Sequence, residues 1–73
     1  MKSFRADHMH VRLIAQQDYE GWTAALYDMN GHGWIDEGGW KYNTPEEAQK
    51  DAQGKAEALL KEPLPDLDWR ENG

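Results

Sequence analysis

The chain has 73 residues, no cysteine, four tryptophans and a formal charge of −6, which allows one small domain that buries roughly 60% of its surface on folding and leaves little room for a catalytic cleft. Without cysteine there is neither a disulfide staple nor a thiolate metal site, and no apolar run approaches the ~18 residues of a membrane span, so a cytoplasmic location is expected. The acid excess and the lack of Lys/Arg clusters argue against binding duplex nucleic acid, whose affinity comes from neutralising phosphates.

Residues 1–8 read as a flexible N-terminus with Phe4 as its large apolar anchor. A first strand is predicted from near Met9: Met9, Val11, Leu13 and Ala15 share one face, and His10, Arg12, Ile14 and Gln16 the other. Asp18-Tyr19-Glu20-Gly21 is a hairpin turn, with Gly21 free to take a positive φ. The second strand, Trp22 to Asp28, has no strongly polar face. Asn30-Gly31 turns the chain into a third strand at Trp34 to Glu37, which a bulge at Gly38-Gly39 interrupts and Trp40 to Tyr42 complete.

The run Asn43-Thr44-Pro45-Glu46-Glu47-Ala48 fixes a helix start. The Thr44 hydroxyl can cap, Pro45 suits a position that needs no backbone donor, and Glu47 can reach back to close a capping box. The helix runs from Pro45 to about Lys61 with an apolar stripe of Ala48, Ala52, Ala56, Leu59 and Leu60. Opposite the stripe, Glu46 and Lys50, Asp51 and Lys55, and Glu57 and Lys61 have the four-residue spacing that favours ion pairs, worth about 0.2–0.5 kcal/mol each. Gly54 weakens a helix interior by up to about 1 kcal/mol, which points to a bend or a close contact. Pro63 and Pro65 end the helix, and Leu64, Leu67 and Trp69 are the anchors available to an acidic tail. The predicted architecture is α+β: a three-stranded antiparallel β-meander packed against one C-terminal α-helix (β-β-β-α). It forms a single domain over 1–73 with its core at 9–62 and its acidic tail at 63–73.

Charge is unevenly spread. Lys2, Arg5 and Arg12 cancel Asp7, Asp18 and Glu20, so all of the net charge lies after Tyr27. Such an acidic half suits solubility, a basic partner or mimicry of nucleic acid. Asp28-Met29-Asn30-Gly31-His32-Gly33-Trp34-Ile35-Asp36 is similar to the front of an EF-hand loop, with oxygen ligands available from Asp28, Asn30, the Trp34 carbonyl and Asp36. His32 stands at the fifth position and Gly39 at the twelfth, so an oxygen donor and the bidentate glutamate are missing. His8, His10 and His32 offer imidazoles but no dependable third ligand, and read as surface histidines. Adjacent acids such as Asp36 and Glu37 point to opposite faces of a strand. With no convergent nucleophile and base, neither an enzyme nor a cofactor is expected.

The sheet face away from the helix carries Ile14, Ala25, Tyr27 and one tryptophan. It is either a partner surface or the bed on which the tail folds through Leu67 or Trp69. The candidate contact residues are Tyr27, Trp34, Asp36, Glu37 and Trp40.

The order of these signals resembles the small antitoxin-like domain of the HicB family. The resemblance rests on Val11 to Ala15, Asp18-Tyr19-Glu20-Gly21-Trp22, Thr23 to Asp28, and Thr44-Pro45-Glu46-Glu47-Ala48 with Ala52 and Ala56, within residues 10–62. The Pro-Gly motif usual after the second strand is absent. The resemblance implies a β-β-β-α fold of double-stranded-RNA-binding or degraded RNase H type that lacks catalysis and binds a small basic ribonuclease toxin. The expectation is therefore a non-catalytic protein-interaction module with a basic protein partner, or one that pairs edge strands into a homodimer. The alternatives are an acidic, phage-type nucleic-acid mimic that inhibits a nuclease, and a degenerate EF-hand-like calcium-binding domain.

Overall fold

Alternating apolar and polar residues carry the chain through four antiparallel strands before the helix. In the computed structural model, which describes residues 1–72, these are β1 (Ser3–His8), β2 (Val11–Asp18), β3 (Gly21–Asp28) and β4 (Gly33–Asp36). The helix α1 (Pro45–Leu60) and a two-residue strand β5 (Arg70–Glu71) follow, and the sheet order is β4-β3-β2-β1-β5. The α+β class is as expected, with five strands rather than three.

The extra strands correct two expectations. Residues 3–8 are not a loose terminus: β1 pairs with β2 from Ser3↔Gln16 to His8↔Val11. Phe4 packs with Ala15, Trp22 and Ala48, its ring centroid 5.8 Å from that of Trp22. The turn into β2 is Met9-His10, with Met9 in the left-handed region (φ 56°) where Gly, Asn or Asp is usual, so the sequence carries no turn signal there. The tail does not cross the open side of the sheet. Leu64, Leu67 and Trp69 pack against the helix-side core, and Arg70–Glu71 then pair with β1 at Arg5↔Arg70 and Phe4↔Glu71.

The core lies between one sheet face and α1. Val11 and Leu13 of β2, Ala24 and Leu26 of β3, and Ala52 and Ala56 of α1 are buried together, with Ala48 beside Ala15 and Trp22. Alanine at these helix positions lets the two backbones come close. Thr44 caps the helix by accepting the Glu47 N–H (3.3 Å) while its hydroxyl donates to the Glu47 carboxylate (3.0 Å). At the other end Lys61 turns left-handed and its N–H reaches the Glu57 carbonyl (2.8 Å). Of the three expected ion pairs along the helix, only Asp51–Lys55 forms among the described residues (3.6 Å). Glu57 instead accepts the Leu64 N–H (2.9 Å) and steers the tail back over the core.

The strand break near Gly38-Gly39 is resolved differently from the expectation. The bulge falls at Ile35, between the pairs Tyr27↔Trp34 and Leu26↔Asp36. Beyond it the chain returns to the β3 edge, where Tyr42 pairs with Trp22. Gly38 (φ 76°) lies so close to β3 that a Cβ there would stand 2.3 Å from the Ala24 carbonyl oxygen. A Cβ on Gly54, by contrast, has nothing within 4 Å, and the helix runs through Gly54 uninterrupted. Gly38→Ala is therefore expected to destabilise the domain by at least about 2 kcal/mol, and Gly54→Ala to stabilise it by about 0.5–1 kcal/mol. Urea unfolding of the two variants checks both signs.

Candidate functional site

Side chains alternate across the sheet, so strands that give every second residue to the core give the residues between to a second face, and neither α1 nor the apolar residues of the tail cover it. Three cross-strand rows can be traced on it from the register. Trp34, Tyr27, Arg12 and Asp7 form the first, Ala25, Ile14, Arg5 and Arg70 the second, and Thr23, Gln16 and Ser3 the third. Asn72 extends the third row through hydrogen bonds with Ser3. The rows line a concavity of about 430 Å³ that includes Arg5, Arg12, Ile14, Gln16, Tyr27 and Trp34. A smaller one of about 300 Å³ adjoins it, sharing Arg5 and reaching Asp7, Asp68 and Arg70.

The bulge at Ile35 decides which candidate contact residues meet. In an unbroken strand residues 34 and 36 would share a face. The extra residue puts Trp34 beside Tyr27 on the open face, with ring centroids 5.2 Å apart in an edge-to-face arrangement, and Asp36 beside Leu26 on the helix side. Asp36 there accepts the Gly38 N–H (2.7 Å) and meets Lys55 (3.4 Å). Trp34 remains 50% exposed and Ala25 is fully buried. Glu37 and Trp40 lie in the exposed connection to Tyr42, Trp40 at 70% exposure. Tyr27 and Trp34 thus form one surface, and Asp36, Glu37 and Trp40 do not join it.

The arginines of this face were not singled out in the sequence as contact residues, although the alternation of β2 already placed Arg12 beside Ile14. Arg5 and Arg70 could not be placed without β1 and β5. All three arginines of the chain stand here, and its five lysines lie elsewhere. Arg12 is held by Asp7 through Nε (2.8 Å) and Nη2 (3.1 Å). That bidentate contact lowers the Asp7 pKa and raises that of Arg12. Asp68 accepts a single hydrogen bond from the Arg70 Nε (2.9 Å), and both side chains are exposed.

The loop expected to offer calcium ligands uses its oxygens internally. Asp28 accepts the Asn30 N–H on Oδ1 (2.8 Å) and meets His32 Nδ1 on Oδ2 (2.7 Å). Asp28 lies opposite Gly33 and Asp36 opposite Leu26, so the two carboxylates stand two strand positions apart along β3, roughly 7 Å, and each is engaged in its own turn. Among the described residues no group of three or more His, Cys, Asp or Glu side chains could hold a metal. The geometry predicts that millimolar calcium leaves the amide resonances of residues 28–39 in place.

No protein-family model, no curated protein and no solved structure matches the chain. No helix is long and apolar enough to cross a membrane among the described residues.

Asp28 also links the site's scaffold to pH. The Asn30 N–H, then His32, hold its carboxyl below the usual range. A carboxyl with a depressed folded-state pKa adds stability above its unfolded pKa, near 3.9, and loses it as pH falls through the folded value. Asp7, Asp18 and Asp36 shift in the same direction, led by hydrogen bonds from Arg12, Lys41 and the Gly38 N–H respectively. Stability is expected to fall as pH drops below about 4, and Asp28→Asn to shrink that fall relative to the parent. Urea unfolding between neutral and acid pH measures it.

Proposed function

We propose that this protein is a non-catalytic interaction module whose docking surface is the open sheet face. The observation that carries this reading is the uncovered strip of Ile14, Tyr27 and Trp34, left free because the tail spends its apolar side chains on the helix side. An aromatic pair with arginines beside it is the composition that dominates binding energy at macromolecular interfaces. The floor of the concavity offers no nucleophile beside a base, which supports a binding role over a chemical one.

A second reading, an inhibitor or antitoxin-like protein that meets a basic protein, draws support from where the carboxylates sit. Glu46, Glu47, Asp51 and Glu57 all belong to α1, on the other side of the sheet from the arginine-bearing face. A basic partner fits that side. The two readings use opposite surfaces.

Affinity capture from an extract of the source organism separates them. With the open face in use, a species retained by the parent protein is lost with Tyr27→Ala/Trp34→Ala and kept with Glu46→Gln/Asp51→Asn and with Trp40→Ala. Loss with the helix variant alone transfers the function to the acidic side. Retention by every variant removes both readings. Circular dichroism on each variant checks that the fold is intact.

A further inference from the structure

We infer that the open face takes single-stranded nucleic acid, its bases on Tyr27 and Trp34 and its phosphates along a track of Arg12, Arg5 and Arg70; this rests on the reading of that face as the docking surface. The track follows from the register. Arg12 lies on β2, Arg5 on β1 and Arg70 on β5, three neighbouring strands, so the guanidinium groups cross two inter-strand steps of about 4.8 Å each. Two adjoining concavities share Arg5, which gives an extended ligand a continuous path where a single enclosed pocket would suit a free nucleotide. At the other margin Trp34 is half exposed beside Tyr27, and exposed aromatic rings stack on unpaired bases of any sequence.

The choice of arginine is informative. Guanidinium is planar, stays charged and matches phosphate oxygens in pairs, whereas ammonium acts as a point charge. A face that needed only general positive charge would be as well served by lysine, yet the five lysines lie elsewhere. Asp7 engages Nε and Nη2 of Arg12 and so fixes its plane while leaving Nη1 for a ligand. Arg5 forms no ion pair among the described residues and is the guanidinium most available to a phosphate. Gln16, Ser3 and Asn72 line the remaining side with donors and acceptors that suit base edges.

The overall charge of −6 does not oppose this binding. The carboxylates of α1 lie on the far side of the sheet, and the two acids that line the smaller concavity, Asp7 and Asp68, are each paired with a guanidinium, which leaves Arg5 as the unpaired charge there. A duplex is excluded on two counts: its bases are already stacked, and three arginines neutralise too few phosphates. Binding to a single strand is correspondingly weak in its salt dependence, with a slope of log K against log salt near −1.4 to −2.1 for about two or three phosphates.

The test is titration of the isotopically labelled full chain with an oligouridylate of about 12 nucleotides, followed by backbone amide and indole resonances. Shifts confined to Arg5, Arg12, Ile14, Tyr27, Trp34 and Arg70 are expected, with Trp34→Ala and Arg5→Gln each weakening binding about tenfold. Both positions are exposed, so loss of folding is not the expected cause, and an unchanged amide spectrum elsewhere verifies it. Uridine monophosphate binding as tightly as the oligomer overturns the track, and oligoglutamate producing the same shifts at equal affinity reassigns the face to an acidic protein segment. Absence of any shift overturns the inference. If capture from extract still depends on Tyr27 and Trp34 after nuclease treatment, the docking surface stands and only its nucleic-acid occupant falls. If capture never depended on those residues, the docking surface itself is wrong.

Discussion

The close approach of α1 to β2 and β3 determines which half of the molecule is core and which is surface. Ala52 and Ala56 are fully buried against Val11, Leu13, Ala24 and Leu26, and Ala48 against Ala15 and Trp22, and with side chains this small the helix covers only the middle of the sheet. The flanks of the same layer must be filled from elsewhere. Phe4 and Trp22 fill one side, and Leu64, Leu67 and Trp69 are drawn from the tail. The tail is committed to that layer before it reaches β5, which is why the opposite face stays open. A helix with leucines in place of the alanines would stand further off and leave the tail less to cover.

One device recurs at the ends of three successive strands. Asp18, Asp28 and Asp36 each accept the N–H of the residue two positions on, those of Glu20, Asn30 and Gly38. Each carboxylate satisfies a backbone donor that a tight turn would otherwise leave unpaired. A second partner then ties the turn to a distant element: Lys41 for Asp18 and Lys55 for Asp36. Three of the acids that make the sequence look like a charged ligand surface are thus part of the turns. The resemblance of residues 28–36 to a calcium loop has the same origin, since Asp and Asn before glycine serve a hairpin turn as readily as a metal.

The central strands and the helix were legible in the sequence because their signals are local. Val11, Leu13 and Ala15 alternate, Gly21 follows an Asx turn, and Thr44-Pro45 starts the helix with Glu47 in place. The outer strands were not. The alternation of Phe4, Ala6 and His8 is too short and too polar to compete with the frayed terminus expected of any chain, and Met9 takes a left-handed conformation without the residue that normally announces it. β5 is two residues long and exists only through its pairing with β1, so no local pattern could reveal it. The open-face members Ile14, Ala25 and Tyr27 were readable from β2 and β3. Assigning Trp34 rather than Trp40 required the bulge at Ile35, and a bulge that begins at a β-branched residue leaves no glycine to mark it.

The separation of charge by face follows from this topology. The arginines occupy the central strand β2 and its neighbours β1 and β5 on one side, while β3 and β4 contribute Tyr27 and Trp34 on the other. The open face is therefore graded from aromatic to cationic along the direction perpendicular to the strands. Asp7 and Asp68 do not erase that gradient, because each is paired to a guanidinium that it orients, and a paired arginine retains its outward donors. An acidic protein can in this way keep a face with a cationic margin: the carboxylates of α1 lie on the other side of the sheet, and the two acids that reach the open face, Asp7 and Asp68, are outnumbered there by three arginines. Net charge describes how such a domain behaves in bulk, whereas the local charge of each face is set by the residues that the strand register brings together on it.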